Sequence, residues 1–211
     1  MFFIVSANDA AAQTISLQDF EAQVNQRAGT LSGYQSYLTD PDPQRAMAAL
    51  QIMLESGDST LVQMALSVGI YSADPNIRQA ALKAFLAGKP ALDIFFDGSE
   101  TVKEDQVEAY NALMRGYRGS VGANNRASLS LKVGEWSEES GCFVNLDAPE
   151  HCLLRVNATT VSLYLVSWDG NTPHQWVVLE LDDDGALTGT MTARHYRTDL
   201  GPLVLTMRLS E

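Results

Sequence analysis

Two indoles bracket the stretch WDGNTPHQW, and between them stand a carboxylate, a carboxamide and an imidazole: Trp168, Asp169, Asn171, His174 and Trp176. Flat aromatic faces with polar groups alongside suit the recognition of a sugar ring or of a partner's side chains. If the Asp-Gly-Asn-Thr-Pro centre closes a hairpin, the two indoles stand near each other at one end of a sheet, and the five residues form a ligand-binding candidate. Packing of the tryptophans into a core is the competing reading. Trp136, Tyr164 and Tyr196 fall in the same half of the chain.

Covalent and hydrolytic chemistry have less to work with, and no catalytic residue is assigned. The chain carries no Gly-x-Ser-x-Gly elbow, no GxxxxGK[ST] phosphate loop, no Rossmann glycine fingerprint and no HExxH pair. Its three histidines are His151, His174 and His195. Twofold alternation puts His174 on the Trp176 face and His195 on the Met191 face, on opposite sides of a sheet, while His151 reads as a loop residue beside Cys152. No metal or cofactor is expected from this set. Glu135, Glu138, Glu139 and the run Asp182 to Asp184 keep a carboxylate-based hydrolase as an alternative, although acids in an acidic chain are usually solvated. The triple aspartate lacks the spaced oxygen ligands of an EF-hand loop.

Cys142 and Cys152 bracket CFVNLDAPEHC, whose Asp-Ala-Pro-Glu centre reads as a turn between two apolar segments. Neighbouring strands would bring the thiols within bridging reach, so a disulfide is expected. Free buried thiols, or a metal site with His151, are the rivals; structural zinc wants four ligands from paired motifs that are absent. The N-terminal MFFIVSANDAAAQ, residues 1–13, resembles the last third of a secretory signal with its small-residue cleavage site, without the basic start or full apolar core. Bridge and signal remnant together point to a periplasmic or secreted protein. A cytosolic chain with an apolar first strand is the alternative.

Charge narrows the partners. With 26 acidic against 14 basic residues, the net charge of -12 disfavours nucleic acid, which is bound by lysines and arginines that displace counterions. The mildly basic interval of Arg115, Arg118, Arg126 and Lys132 reads as a solvated linker. No apolar run approaches the ~20 residues of a membrane helix, so membrane insertion is not expected.

The elements that must position these groups come in two kinds. DPQRAMAAL, Asp42 to Leu50, returns as DPNIRQAAL, Asp74 to Leu82. Aspartate at an N-cap followed by proline at the first helical position starts a helix twice. Leu61, Met64, Ala65 and Val68 mark a helix between the two, and Leu17, Phe20, Val24 and Ala28 mark one upstream. A fainter echo at Asp105 places another helix, with Val107, Tyr110, Leu113, Met114 and Tyr117 as its stripe and Thr101 to Glu104 as its capping box. A helix pair repeating at this period, with Asp-Pro at its start and Arg78 just inside, resembles the HEAT family of α-solenoid repeats over about residues 40–88. The resemblance implies a scaffold or docking surface for another protein.

After the glycine- and asparagine-rich connection RGYRGSVGANNR the period changes to two. Leu129, Leu131 and Val133 alternate with polar neighbours, as do Leu203, Leu205, Met207 and Leu209; 160–168, 174–181 and 187–196 read as further strands. For DDDG, a three-residue loop with Gly185 left-handed pairs Leu179 with Gly189 and Leu181 with Leu187, keeping one apolar face. The expectation is an α+β protein: a signal remnant (1–13), HEAT-like helical hairpins (14–118), and a C-terminal antiparallel β-meander (126–211), as an open sheet or small barrel. Its expected role is a non-enzymatic binding or adaptor protein that docks a protein partner. A barrel holding a small lipid or carbohydrate ligand is the alternative.

Overall fold

A computed structural model describes residues 16–182, 185–195 and 197–209. The signal-like residues 1–13, Asp183, Asp184 and Tyr196 lie outside the described residues. The chain runs through α1 (Leu17–Leu38), α2 (Pro43–Glu55), α3 (Ser59–Ile70) and α4 (Pro75–Ala87) before its first strand. Both Asp-Pro pairs do what aspartate and proline do at a helix start. The Asp42 carboxylate accepts from the N–H of Gln44 at 2.9 Å and that of Asp74 from Asn76 at 2.8 Å, with Pro43 and Pro75 following. Arg78 turns back and donates through Nε and Nη2 to the carbonyl of Ser72, at 3.1 and 2.8 Å, tying α4 to the turn before it. Leu50, Ala65, Ala81, Leu82 and Leu86 are buried where α2, α3 and α4 meet.

The β part is an antiparallel barrel of eight strands. It comprises β1 (Ala91–Asp97), β3 (Arg126–Ser137), β4 (Cys142–Asn145), β5 (Ala148–Val156), β6 (Thr160–Leu165), β7 (Gln175–Leu181), β8 (Ala186–His195) and β9 (Thr198–Arg208). Neighbours follow the order β1-β9-β8-β7-β6-β5-β4-β3, and β3 returns to β1, which closes the cylinder; a two-residue β2 (Ser120–Val121) adds to β3. Closure removes the free edges that an open sheet would present. Eight strands enclose room that side chains can fill. Ile94, Leu163, Leu179, Leu205 and Met207 fill that room and are fully buried.

The division at residue 118 needs one correction. β1 lies inside the stretch expected to be helical, because Leu92, Ile94 and Phe96 alternate inward and the strand pairs with both β3 and β9. After α4 the second repeat period therefore continues as a strand and not as a second helix. The helix echoed at Asp105 exists as α5 (Val107–Gly116), preceded by a 3-10 turn at Glu104–Gln106. Its cap lies two residues later than expected, at Lys103 and not at Thr101: the Gln106 side chain accepts from the Lys103 N–H at 3.0 Å. Helix α5 packs on β2, β8 and β9, with Tyr110, Leu113 and Met114 fully buried. Burial, with help from the charge of Asp97, pushes the Tyr110 phenol up to about 12.

The β7–β8 hairpin has the three-residue register. Leu181 faces Leu187 and Glu180 faces Thr188, and Gly185 sits at φ +79° where an L side chain would be strained. A Cβ there would also collide with the Tyr71 hydroxyl, so this hairpin seats directly on the end of α3. The helical part meets the barrel again at α4. There Gln79 donates to the Val156 carbonyl at 2.9 Å, and Lys83 stands 4.8 Å from the Trp136 ring. Trp136 also meets Phe143 edge-on at 5.1 Å, so this indole serves packing.

Candidate functional site

The five candidate residues separate into two groups. Trp168, Asp169 and Asn171 belong to the loop after β6, whereas His174 and Trp176 belong to the outer wall of the barrel. Strand β6 ends at Leu165, short of the expected 168, and the Trp168 N–H donates to the Gly116 carbonyl at 2.9 Å, which ties the loop to the end of α5. The Trp168 ring is covered by the Arg118 guanidinium at 3.7 Å. Among the described residues no ring contact joins Trp168 to Trp176. Tyr164 faces Trp176 across the β6–β7 pair instead.

Asp169 organises its own loop. One carboxylate oxygen accepts from the N–H groups of Asn171 and Thr172, at 2.9 and 2.8 Å, and from the Ser167 hydroxyl at 3.1 Å; the other accepts from the Thr172 hydroxyl at 3.1 Å. The Thr172 N–H does most to stabilise the anion, and together these donors hold the carboxyl at about 2, well below its usual 3.8. Close by, Tyr117 donates to the Pro173 carbonyl at 2.7 Å; its burial, with the Asp169 charge, raises its phenol pKa. The loop is thus a packed device that fastens β6–β7 to α5. Because the folded carboxyl titrates below the unfolded one, its stabilisation is complete above about pH 4 and lost as pH falls towards 2. Asp169→Asn is expected to flatten this part of the acid unfolding curve. Circular dichroism melts of both proteins between those pH values check it; identical slopes would overturn the assignment. Asp97, also lowered, chiefly through its hydrogen bonds with Ser99, keeps some acid sensitivity in the variant.

The wall group is larger than the sequence suggested. The Trp176 and Tyr164 rings lie 4.9 Å apart, Tyr164 and His174 stack at 5.9 Å with planes 11° apart, and His151 stands 5.6 Å from His174 and 6.0 Å from Tyr164. The Arg155 guanidinium lies 4.8 Å from the Trp176 ring. Alternation along β6 and β7 produces this face, since Leu163, Leu165, Val177 and Leu179 turn inward and Tyr164, Trp176 and Val178 turn outward. Trp176 is 41% exposed. The Ser167 N–H donates to His174 Nδ1 at 3.0 Å, so that nitrogen is the ring's acceptor and its orientation is set by the backbone. His195 faces inward among buried residues, on the opposite side of the wall from His174.

His151, expected in a loop, is in β5, and this brings it to His174. Its neighbours are His174, Tyr164 and Glu150, whose carboxylate is 3.8 Å from its Nε2. Among the described residues no three His, Cys, Asp or Glu side chains converge as a metal site. Cys142 and Cys152 form the expected disulfide, with Cα atoms 5.8 Å apart, joining β4 to β5. The acids considered for hydrolysis are dispersed: Glu135 pairs with Lys89, Glu138 and Glu139 are exposed, and Asp182 accepts from the Ala186 N–H at 2.9 Å.

Among the described residues, concavities of about 370–510 Å³ lie between the helices, one of them reaching Leu209, and these are not lined by the five candidate residues. Among the described residues no helix is long and apolar enough to cross a membrane. Compared with protein-family models, with curated proteins and with solved structures, the chain matches none of them.

Proposed function

We propose that this protein is a non-enzymatic binding module that docks a partner polypeptide on the outer wall of its barrel, with the HEAT-like helical hairpins as scaffold. The observation that carries the reading is the outward-facing cluster of exposed Trp176 and His174 with half-buried Tyr164 and His151, beside Arg155. Tryptophan, tyrosine and arginine dominate the energetics of protein interfaces, because rigid rings contribute area at low entropic cost. The wall is held before any partner arrives, by the β6–β7 ladder and by the backbone bond to His174. A partner segment would seat an apolar side chain on Trp176 and turn acceptor groups towards Arg155 and the imidazoles. The Cys142–Cys152 bridge supports placing the protein in an oxidising compartment, periplasmic or secreted.

Trp176→Ala is expected to weaken partner binding at least about tenfold, some 1.4 kcal/mol. Tagged wild-type and variant proteins, compared in pull-downs from the native periplasm or secretome, give the measurement. A partner captured equally by both would sink the proposal. A second reading, a carbohydrate on the same wall, rests on the tilted Tyr164–Trp176 pair, 39° between planes. Saturable quenching of indole fluorescence by a soluble oligosaccharide, absent in Trp176→Ala, would favour it. A lipid inside the barrel would have to displace Leu163, Leu179 and Leu205, all fully buried.

A further inference from the structure

Helix α1 is two helices in one as far as packing goes. Its C-terminal end lies against α2 and α3 and buries Leu38, whereas residues 16–30 are exposed throughout. Yet this free half is not polar all round. Leu17, Phe20, Val24, Arg27, Leu31, Tyr34 and Leu38 follow one another at alternating spacings of three and four, the repeat by which one helix meets another. Phe20 is 56% exposed on that seam. A free helical arm of this length is marginal in water unless its apolar stripe is covered.

A matching surface lies on the same helix. Beside the anchored half of α1, a groove of about 440 Å³ runs between Tyr34 and Tyr37 on one side and Ala48, Ala49 and Ile52 of α2 on the other. Ile52 is 69% exposed. Arg45 is the one charged residue of this lining; its side chain pairs with Asp40 at 3.4 Å yet stays 62% exposed, open to a further carboxylate, and the free half of α1 begins with Asp19 and Glu21. Stripe and groove are therefore complementary in both apolar character and charge. They cannot meet within one chain, because both lie along the same straight rod of about 33 Å.

We propose that two copies of this chain pair through α1 in antiparallel fashion, the free half of each helix lying in the Tyr34–Ile52 groove of the other. A twofold axis beside Asn25 and Gln26 brings Leu17 level with Tyr34 of the second copy, Phe20 with Leu31, and Val24 with the aliphatic stem of Arg27. One symmetric operation covers both exposed surfaces twice and leaves no open end, whereas a one-sided insertion would propagate into filaments. A parallel pair would set Arg27 against Arg27 and leave the groove uncovered. The contact is small, so the dimer dissociates on dilution. It presents two barrel walls to a partner, which gives the assembly avidity.

Sedimentation equilibrium over a wide concentration range tests the proposal independently of any partner. Wild-type protein is expected to pass from monomer to dimer. Phe20→Glu and Ile52→Glu, each on an exposed position, should each raise the dissociation constant at least tenfold with unchanged thermal unfolding of the barrel. Monomer at every concentration, or a dimer that persists in either variant, overturns the pairing. Orientation is read by oxidative cross-linking, since the chain's only two cysteines are already bridged. Leu17→Cys mixed with Tyr34→Cys should form a linked dimer, whereas preferential self-linking of Leu17→Cys would overturn the antiparallel arrangement.

Discussion

Replacing Cys142 and Cys152 together by serine is expected to lower the unfolding free energy by about 2–3 kcal/mol, the chain-entropy value for closing so short a loop. For a chain of this size that corresponds to a fall in Tm of about 5–10 °C. The bridge matters beyond its energy because of where it lies. It spans β4 and β5, whose register shifts between Phe143 and Val144 and again between Val144 and Asn145, so the ladder between them is weaker than a regular one. From β5 rise His151 and Arg155, two members of the outer wall, and Arg155 reaches back to within 4.0 Å of Cys152 Sγ. Calorimetry of the double serine variant against the oxidised protein provides the measurement, with reduction of the wild type as its chemical counterpart. A midpoint unchanged in both would show that the irregular ladder needs no covalent help. If the wall is the recognition surface, the reduced protein should also bind its partner more weakly than the oxidised one.

Gly116→Val should be comparably harmful for a different reason. A Cβ at Gly116 collides with the Thr172 side chain and comes within 2.9 Å of the Asp169 carboxylate. Helix α5 and the β6–β7 loop approach so closely there because the Gly116 carbonyl receives the Trp168 N–H. Inserting atoms into a closed contact costs about 1–3 kcal/mol, through off-rotamer side chains and shifted backbone. Urea unfolding followed by tryptophan fluorescence measures it. In a Thr172→Gly background the penalty of Gly116→Ala should shrink, since the colliding group is gone. Strict additivity of the two substitutions would refute this account of the contact.

These two expectations bear on how the site was to be read from the chain. Trp168 and Trp176 flank one turn, and nearness in sequence suggested nearness in space. The structure assigns Trp168 and Asp169 to fastening the loop onto α5, and gives Trp176 a new set of neighbours in Tyr164, His174, His151 and Arg155. Tyr164 was within reach of sequence reasoning, because the β6–β7 alternation already turns it outward beside Trp176. His151 was not. It reaches the wall only because residues 148–156 form a strand paired with β6, and a proline-containing turn reading gave no hint of that pairing.

Local signals were legible wherever the cause is local. Asp-Pro helix starts are satisfied by hydrogen bonds two residues away, and the glycine of a three-residue hairpin is chosen by the burial of its own two strands, so Pro43, Pro75 and Gly185 declared their roles in one dimension. The disulfide was legible for the same reason, with its cysteines ten residues apart. Closure of the barrel was not, since β1 meets β3 and β9 from opposite sides across long separations, and its ALDIFFD segment stands inside the stretch expected to be helical. Periodicity states which face of an element is apolar, but not what covers that face; only the packed chain decided that the β6–β7 exterior stays open to solvent while Trp136, of the same residue type, is covered by α4. Short-range hydrogen bonds and side-chain alternation are written residue by residue, whereas strand partners and covered surfaces depend on which distant segments win the competition for burial.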